Sequence, residues 1–567
     1  MARSFHDSEE THYKKKKNDS SIHELLGNDM IYQILSFLHY RYILKNCMRV
    51  CKQWHSISLN VPIFINFKSR SKGYTDTVHS AIQRLTTNQH KINVTGIKVH
   101  RCVEVKGKTL KLISASESMK NLTSLSLNLK HSLSCEGITS LATSKFMSNL
   151  TKLQVQGIDV GDTVILASSA NMSHLKKLSL ISCGVDSSTI ATICDNKWIS
   201  NNLTSLTFSE HGIESEDVQL IVSSEFARNL KQLVLEFQTI EEDGIKAIAE
   251  SSLCCNLTDL GLSCTDIGQK EVKLIAESPH LKNLTRLDLT GCNEPNHSAK
   301  LLDESPFLKN LRVLLFNSTE IDEEGVISIT TSLNFTNLTE LQLNTNDLSK
   351  RGVQFIANSS VMRNLTSLLL NENRMSNGGL MSISNSEYMS NLQVLELSLN
   401  EIEIPSIISL CTSKFIKNLT HLNLGFNTIC SEGGIAIANS ENMKNLKYLD
   451  LGYCCIGPHA VIALANSPFL TRLIKLNLDC NGVDNEAAIA ISTSPYLQGL
   501  AWLSLNNNDI GFKGAIAIIE NLRNLTTLRL SQNDKIPQDK DVREYLYSKL
   551  PHVLEGLELE KLNKEDV

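Results

Sequence analysis

Few residue groupings in this chain have the types and spacing that chemistry demands. No His-Glu-x-x-His, Gly-x-Ser-x-Gly or Gly-x-Gly-x-x-Gly occurs. Metal-dependent hydrolysis, an elbow-type serine nucleophile and a dinucleotide cradle therefore lack their residues. Lys106-Gly107-Lys108-Thr109 ends like a phosphate loop, but Cys102 stands where the loop's first glycine belongs. The 15 cysteines include no Cys-x-x-Cys. The doublets Cys254–Cys255 and Cys454–Cys455 suit neither a shared metal nor a bond to each other. Buried thiols in a reducing compartment are the expectation. No catalytic residue, metal ligand or cofactor is assigned, and the chain reads as a non-enzyme.

What the sequence offers instead is recognition chemistry. His421, Tyr448, Lys475 and Trp502 follow one another at intervals of 27 residues, and so do Leu399, Phe426, Tyr453 and Cys480. Aromatics are only 5% of the chain, so this concentration at two recurring positions is informative. Aromatic and apolar side chains on solvent-facing positions, rimmed by polar ones, mark binding surfaces. Elements that repeat with the same period must hold them.

Those elements are legible. A Leu-x-x-Leu-x-Leu pattern begins at 122, 150, 175, 203, 230, 257, 284, 311, 338, 365, 392, 419, 446, 473, 500 and 525. The steps are 28, 25 and 28, then 27 at every step from 203 to 500, and finally 25. A looser copy precedes them at Val94, Ile97 and Val99, and another follows at Leu554, Leu557 and Leu559. In the copy starting at Leu419, Leu422 and Leu424 alternate with polar residues, as in a strand buried on one face. Asn427 falls where the chain leaves the strand, and asparagines recur there at 346, 373, 400, 481, 508 and 533. Ile429 returns to the core, and Gly433–Gly434 is expected to open a helix over Ile435 to Asn439. One unit cannot bury its own apolar face; stacked units can. Asn-Leu-Thr recurs nine times at one fixed repeat position, which favours a structural role over glycosylation.

This pattern resembles the leucine-rich-repeat family, in its long, ribonuclease-inhibitor-like class. The resemblance covers about 445 residues, 92 to 536, as 16 clear copies and one degenerate one. It implies an α/β solenoid, a horseshoe with parallel strands on the concave face and helices on the convex face. Asn293–Glu294–Pro295 departs from the pattern, so an irregularity is expected there.

Residues 21–66 stand apart from the repeat. Ile31, Ile34, Leu35 and Leu38 have helical spacing, and a second apolar-periodic segment runs from Ile43 to Ile57. Leu26, Asp29, Met30, Ile31, Ile34, Leu35 and Leu38, then Val50-Cys51-Lys52 and Trp54, follow the order of the F-box, a small α-helical module. Gly27 replaces that family's proline, and Phe64 its terminal tryptophan. The resemblance implies docking onto the Skp-type adaptor of a cullin–RING ubiquitin ligase. It places Leu26, Ile34, Leu35, Leu38, Val50 and Trp54 in or beneath that interface; alternatively they are the core of a helical cap.

The remaining segments are plainer. Residues 1–20 read as a disordered tail without an apolar stretch, so a secretory signal is not expected. Lys14 to Lys17 fits a nuclear-localisation patch, though such runs are more often solvated. Residues 67–91 should carry a capping helix, Thr75 to Leu85, and residues 537–567 another, Asp541 to Leu550. Net charge is −5, without the basic excess of a nucleic-acid or membrane-surface binder. Nothing approaches a bilayer span, and a cytoplasmic location is expected.

The resemblances together imply a non-catalytic substrate-recognition adaptor of an SCF-type ligase. Its protein substrate would lie on the concave face at Leu399, His421, Phe426, Tyr448, Tyr453, Lys475 and Trp502. Concave positions of the last eight strands carry Glu340, Glu372, Glu396, Asp450 and Asp479 against Lys475 and Arg529. That excess of acid suggests a partner segment with some basic character. The alternatives are a repeat scaffold or inhibitor with no ligase link, and a GTPase-activating protein, for which no catalytic arginine can be assigned.

Overall fold

Leu419, Leu422 and Leu424 are fully buried, and so are their counterparts Leu446, Leu449 and Leu451. Burying the same three positions in successive copies forces adjacent copies into one register. The computed structural model describes residues 52–68, 76–87, 92–100, 107–128, 135–196, 202–210, 212–536 and 557–558. The chain divides into two compact units, residues 1–206 and 207–567.

In the first unit the described elements are α1 (Lys52–Asn60), β1 (Ile63–Lys68), α2 (Asp76–Thr87), β2 (Val94–His100), α3 (Gly107–Ala115), β3 (Ser124–Asn128), α4 (Cys135–Thr143), β4 (Lys152–Gln156), α5 (Val160–Ala167), β5 (Lys177–Ile181) and α6 (Ser187–Asp195). The five strands pair in parallel in chain order, with Leu125, Leu153 and Leu178 side by side. The capping helix expected over 75–85 is α2. Strand β1 differs from the expectation, which placed these residues at the end of a helical module and in the linker. Its sequence IFINFK alternates: Ile63 and Ile65 are buried while Phe64 is 49% exposed. That two-residue period is a strand's, and it pairs with the degenerate copy at 94–100.

In the second unit, parallel strands run in chain order from Gln232–Glu236 to Thr527–Arg529 and then Leu557–Glu558. Helices pack against the helices of neighbouring coils. This is an α/β leucine-rich-repeat solenoid. The irregularity expected at Asn293–Glu294–Pro295 is present: Glu294 has φ 49°, and Pro295 opens the following helix, Pro295–Asp303. The helix expected from Ile435 starts earlier, at Cys430, so Gly433 and Gly434 lie inside it. Their role is close packing. A Cβ on Gly434 would come 2.7 Å from Cβ of Ala460 in the next coil, and one on Gly433 would come 2.4 Å from Ile429 Cγ2.

Side chains finish what the strands leave unpaired. Buried Asn427 donates through Nδ2 to Leu397 O at 2.8 Å and Leu424 O at 2.9 Å, and its Oδ1 accepts from Asn400 N and Ile402 N, both at 3.0 Å. Asn373, Asn400, Asn481, Asn508 and Asn533 are buried alike. The Asn-Leu-Thr asparagines form a second ladder: Asn283 donates to Cys255 O, Asn364 to Thr336 O, and Asn418 to Ser390 O. The nitrogen a glycan would take is thus a backbone-bonding donor, one coil to the next.

Candidate partner-binding face

Three-residue strands in the last coils leave two side chains each on the side away from the core. Across β6 (Val394–Glu396), β7 (His421–Asn423), β8 (Tyr448–Asp450), β9 (Lys475–Asn477), β10 (Trp502–Ser504) and β11 (Thr527–Arg529), the leucines align and are buried. The flanking positions therefore make two columns. One reads Val394, His421, Tyr448, Lys475, Trp502 and Thr527; the other reads Glu396, Asn423, Asp450, Asn477, Ser504 and Arg529.

The aromatic members touch. The rings of His421 and Tyr448 stack with centroids 4.0 Å apart and planes 9° apart. Beyond the strands, Phe426 and Tyr453 stack at 4.2 Å and 10°. The Arg529 guanidinium sits 5.5 Å from the centre of the Trp502 ring. Between the two stacks the open side carries Asn423 and Asp450 and then Gly425 and Gly452. A Cβ on Gly452 would approach Asn477 Nδ2 to 2.9 Å, so the polar side chains of the strands lean over the glycines.

Leu399, Phe426 and Tyr453 hold left-handed backbone, with φ of 56°, 57° and 57°. Hydrogen bonds to the next coil fix it: Phe426 N to Gly452 O and Tyr453 N to Asp479 O, both 2.8 Å. A side chain in that conformation costs about 1 kcal/mol relative to glycine. The same turn position is Gly291 in one coil and Asn507 in another. Yet here large apolar residues occupy it and stay 45%, 49% and 46% exposed. Phe237, 53% exposed with φ 55°, shares the position in a distant coil; with Glu210 and Cys264 at 27 residues to either side, no aromatic run marks it in the sequence.

Carboxylates between the stacks are held by hydrogen bonds. Glu396 pairs with His421 Nε2 at 2.9 Å and accepts from Asn371 Nδ2 at 2.9 Å and Asn423 Nδ2 at 3.2 Å. These bonds, the His421 one foremost, pull its carboxyl down to about 2. The Tyr448 hydroxyl donates to Asp450 Oδ2 at 3.0 Å, and Asp450 also accepts from Gly452 N and Asn477 Nδ2. Burial, with the Asp450 charge, holds the Tyr448 phenol well above the usual tyrosine range. A hydrogen bond to Cys480 pushes the Tyr453 phenol up to about 12. The face thus combines neutral phenols, stacked rings and anionic carboxylates, with Lys475 as an exposed cation beside them. Such a surface suits apolar and cationic side chains of a partner.

All seven residues expected at this face lie on it, in adjacent coils. The sequence counted Glu396 and Asp450 as charges but could not reveal that they tie neighbouring coils together. A groove of about 420 Å³ lies elsewhere in the second unit, bounded by Lys231, Asn256, Thr258, Asn283 and Arg312. It is lined by the ladder amides and hydroxyls, which already bond the backbone.

Comparison with known families adds the N-terminal half of the picture. An F-box domain model matches residues 24–66, and a leucine-rich-repeat model matches 336–357, 416–438 and 442–465. The chain joins an F-box to leucine-rich repeats. Solved structures similar to this F-box/leucine-rich-repeat chain include an internalin from Listeria monocytogenes, at 20% identity over 63% of this chain and 87% of that one, TM-score 0.40. Another is the Rad7 and Elc1 complex in yeast, at 18% identity over 58% and 81%, TM-score 0.43. A third is a TLR13–ssRNA13 complex, at 16% identity over 84% and 72%, TM-score 0.37. No curated protein sequence matches the chain. Of the residues expected to dock an adaptor, Leu26, Ile34, Leu35, Leu38 and Val50 lie outside the described residues, and Trp54 falls within α1. Among the described residues no helix is long and apolar enough to cross a membrane.

Proposed function

We propose that this chain is the substrate receptor of a cullin–RING ubiquitin ligase of SCF type. Its F-box would engage the Skp-type adaptor through Leu26, Ile34, Leu35, Leu38, Val50 and Trp54. The open face around Leu399, His421, Phe426, Tyr448, Tyr453, Lys475 and Trp502 would hold a protein substrate. F-box and leucine-rich-repeat modules are typically non-catalytic, so ubiquitin transfer would belong to the associated subunits.

The observation that carries the reading is the F-box match over residues 24–66 in a chain whose repeats expose stacked aromatics. An F-box has little use without its adaptor, and exposed apolar side chains in a costly backbone conformation have little use without a partner. Co-expression with a Skp-type adaptor tests the first half: the wild-type chain should co-purify with it, and Leu35→Asp should not. If neither chain retains the adaptor, the protein is a repeat scaffold without a ligase link.

A further inference from the structure

We infer that Cys430 and Cys455 are an oxidation-responsive pair that joins two adjacent coils of the second unit. Cys430 opens the helix α7 (Cys430–Ala438), and Cys455 lies in the turn before the next helix, α8 (Gly457–Ala465). Cys430 N donates to the carbonyl of Cys454 at 3.1 Å, which sets Cys430 beside Cys455. One coil earlier the corresponding residues, Glu403 and Thr428, form a parallel bridge. Cys430 and Cys455 share the backbone bond without the full bridge; coils joined by such bonds lie about 4.8 Å apart, inside the roughly 4.4–6.8 Å that Cα atoms span across a disulfide.

The two thiols stand apart from the others in position and chemistry. At the corresponding places the neighbouring coils have Ser376 with Glu401, Glu403 with Thr428, Gly457 with Gly482, and Asp484 with Asp509. Only between these two coils are both residues cysteine. Both have left-handed backbone, φ 56° and 54°, where the next coil uses Gly457 and Gly482. Cys455 is exposed and Cys430 half-buried, whereas Cys454 is buried, with its thiol donating to Leu424 O at 3.1 Å. Burial pushes the Cys454 thiol up to about 12, which leaves its neighbour as the reactive member of the doublet.

The oxidant is a hydroperoxide. The Cys455 thiolate attacks one peroxide oxygen, the O–O bond breaks, and Cys455 becomes a sulfenic acid as water or an alcohol leaves. The Cys430 thiolate then attacks that sulfur, the S–S bond forms, and the departing hydroxide takes a proton to become water. Two thiols lose two electrons to one peroxide, and a dithiol reverses the step. The link bridges the coils that carry Phe426 and Tyr453, and it requires nothing of the proposed ligase role.

Peptide mass spectrometry on the full-length chain, treated with hydrogen peroxide and then alkylated, tests this. The expected product joins the Cys430 and Cys455 peptides, raises the thermal midpoint by several degrees, and reverts with dithiothreitol. In Cys430→Ser the same treatment should leave a dimedone-reactive sulfenic acid on Cys455 and an unmoved midpoint. Alkylation of Cys430 as complete after oxidation as before would overturn the pairing, and this reading needs no variant. Equal rates of over-oxidation at Cys455 in wild type and Cys430→Ser would overturn it too.

Discussion

Phe426 and Tyr453 stack at 4.2 Å while both backbones sit in the left-handed region. The stack and the backbone oppose each other energetically. Ring contact contributes about 0.5–1.5 kcal/mol, and the left-handed conformation costs about 1 kcal/mol at each of the two residues. Replacing both residues by glycine removes both effects, so Phe426→Gly/Tyr453→Gly should keep its unfolding free energy within about 1 kcal/mol of wild type. If the stack serves a partner, the same variant should lose substrate capture. Chemical unfolding and binding, measured on one preparation, separate the two; a large loss of stability would make the stack part of the fold.

Buried amides between coils should matter more than any exposed ring. Asn427 makes its four close bonds inside the core, and Asn427→Ala would strand the N–H groups of Asn400 and Ile402 and the carbonyl of Leu397, while Leu424 O would keep the Cys454 thiol. The expected loss is about 2–4 kcal/mol. The next coil supplies its own control: Cys454 occupies the equivalent place and still donates to Leu424 O. Asn427→Cys should therefore cost less than Asn427→Ala. Urea midpoints that rank them the other way would mean that volume, not hydrogen bonding, sets the position.

The contrast between Asn427 and Phe426 also explains what was legible in the sequence. A 27-residue period forces Leu422 and Leu449 into register, and amides recurring at the strand exit have one use, to bond the neighbouring coil. Phe426 obeys no local rule, since left-handed turns favour glycine or asparagine. Its column could be read as exposed, but its backbone could not. Gly433 misled because a glycine near a turn suggests a helix start, whereas here close approach to Ile429 selects it. Strand β1 was hidden because IFINFK overlaps the end of the F-box motif, and the motif's helical reading overran two-residue alternation.

Adaptor docking gives a prediction from a departure in the motif. Gly27 stands where the F-box has proline, whose fixed φ pre-forms the start of a helix. Gly27→Pro should reduce the freedom of the unbound chain and tighten the Skp-type adaptor by about two- to fivefold. Calorimetric titration against the purified adaptor reads this directly. Weaker binding would show that the segment enters the interface in a conformation proline forbids.

Acid should weaken the aromatic face in a defined window. The Glu396 carboxyl ordinarily titrates near 4.5 and is held at about 2 in the fold, first by the His421 bond and then by Asn371 and Asn423. A depressed carboxylate contributes stability that is fully present above pH 4.5 and lost as pH falls toward 2. Allowing for solvent screening of a partly exposed site, the contribution is about 1–2 kcal/mol. Glu236 runs the other way, because burial and then Asp288 raise it. Its charge works against the fold at neutral pH, and that penalty fades on acidification. Glu396→Gln should therefore lose stability at pH 7 and decline less steeply below pH 5 than wild type, while Glu236→Gln should gain at pH 7 and decline more steeply. Urea unfolding at a series of pH values reads both slopes, and parallel curves for the two variants would show that neither carboxylate is coupled to folding as its surroundings require.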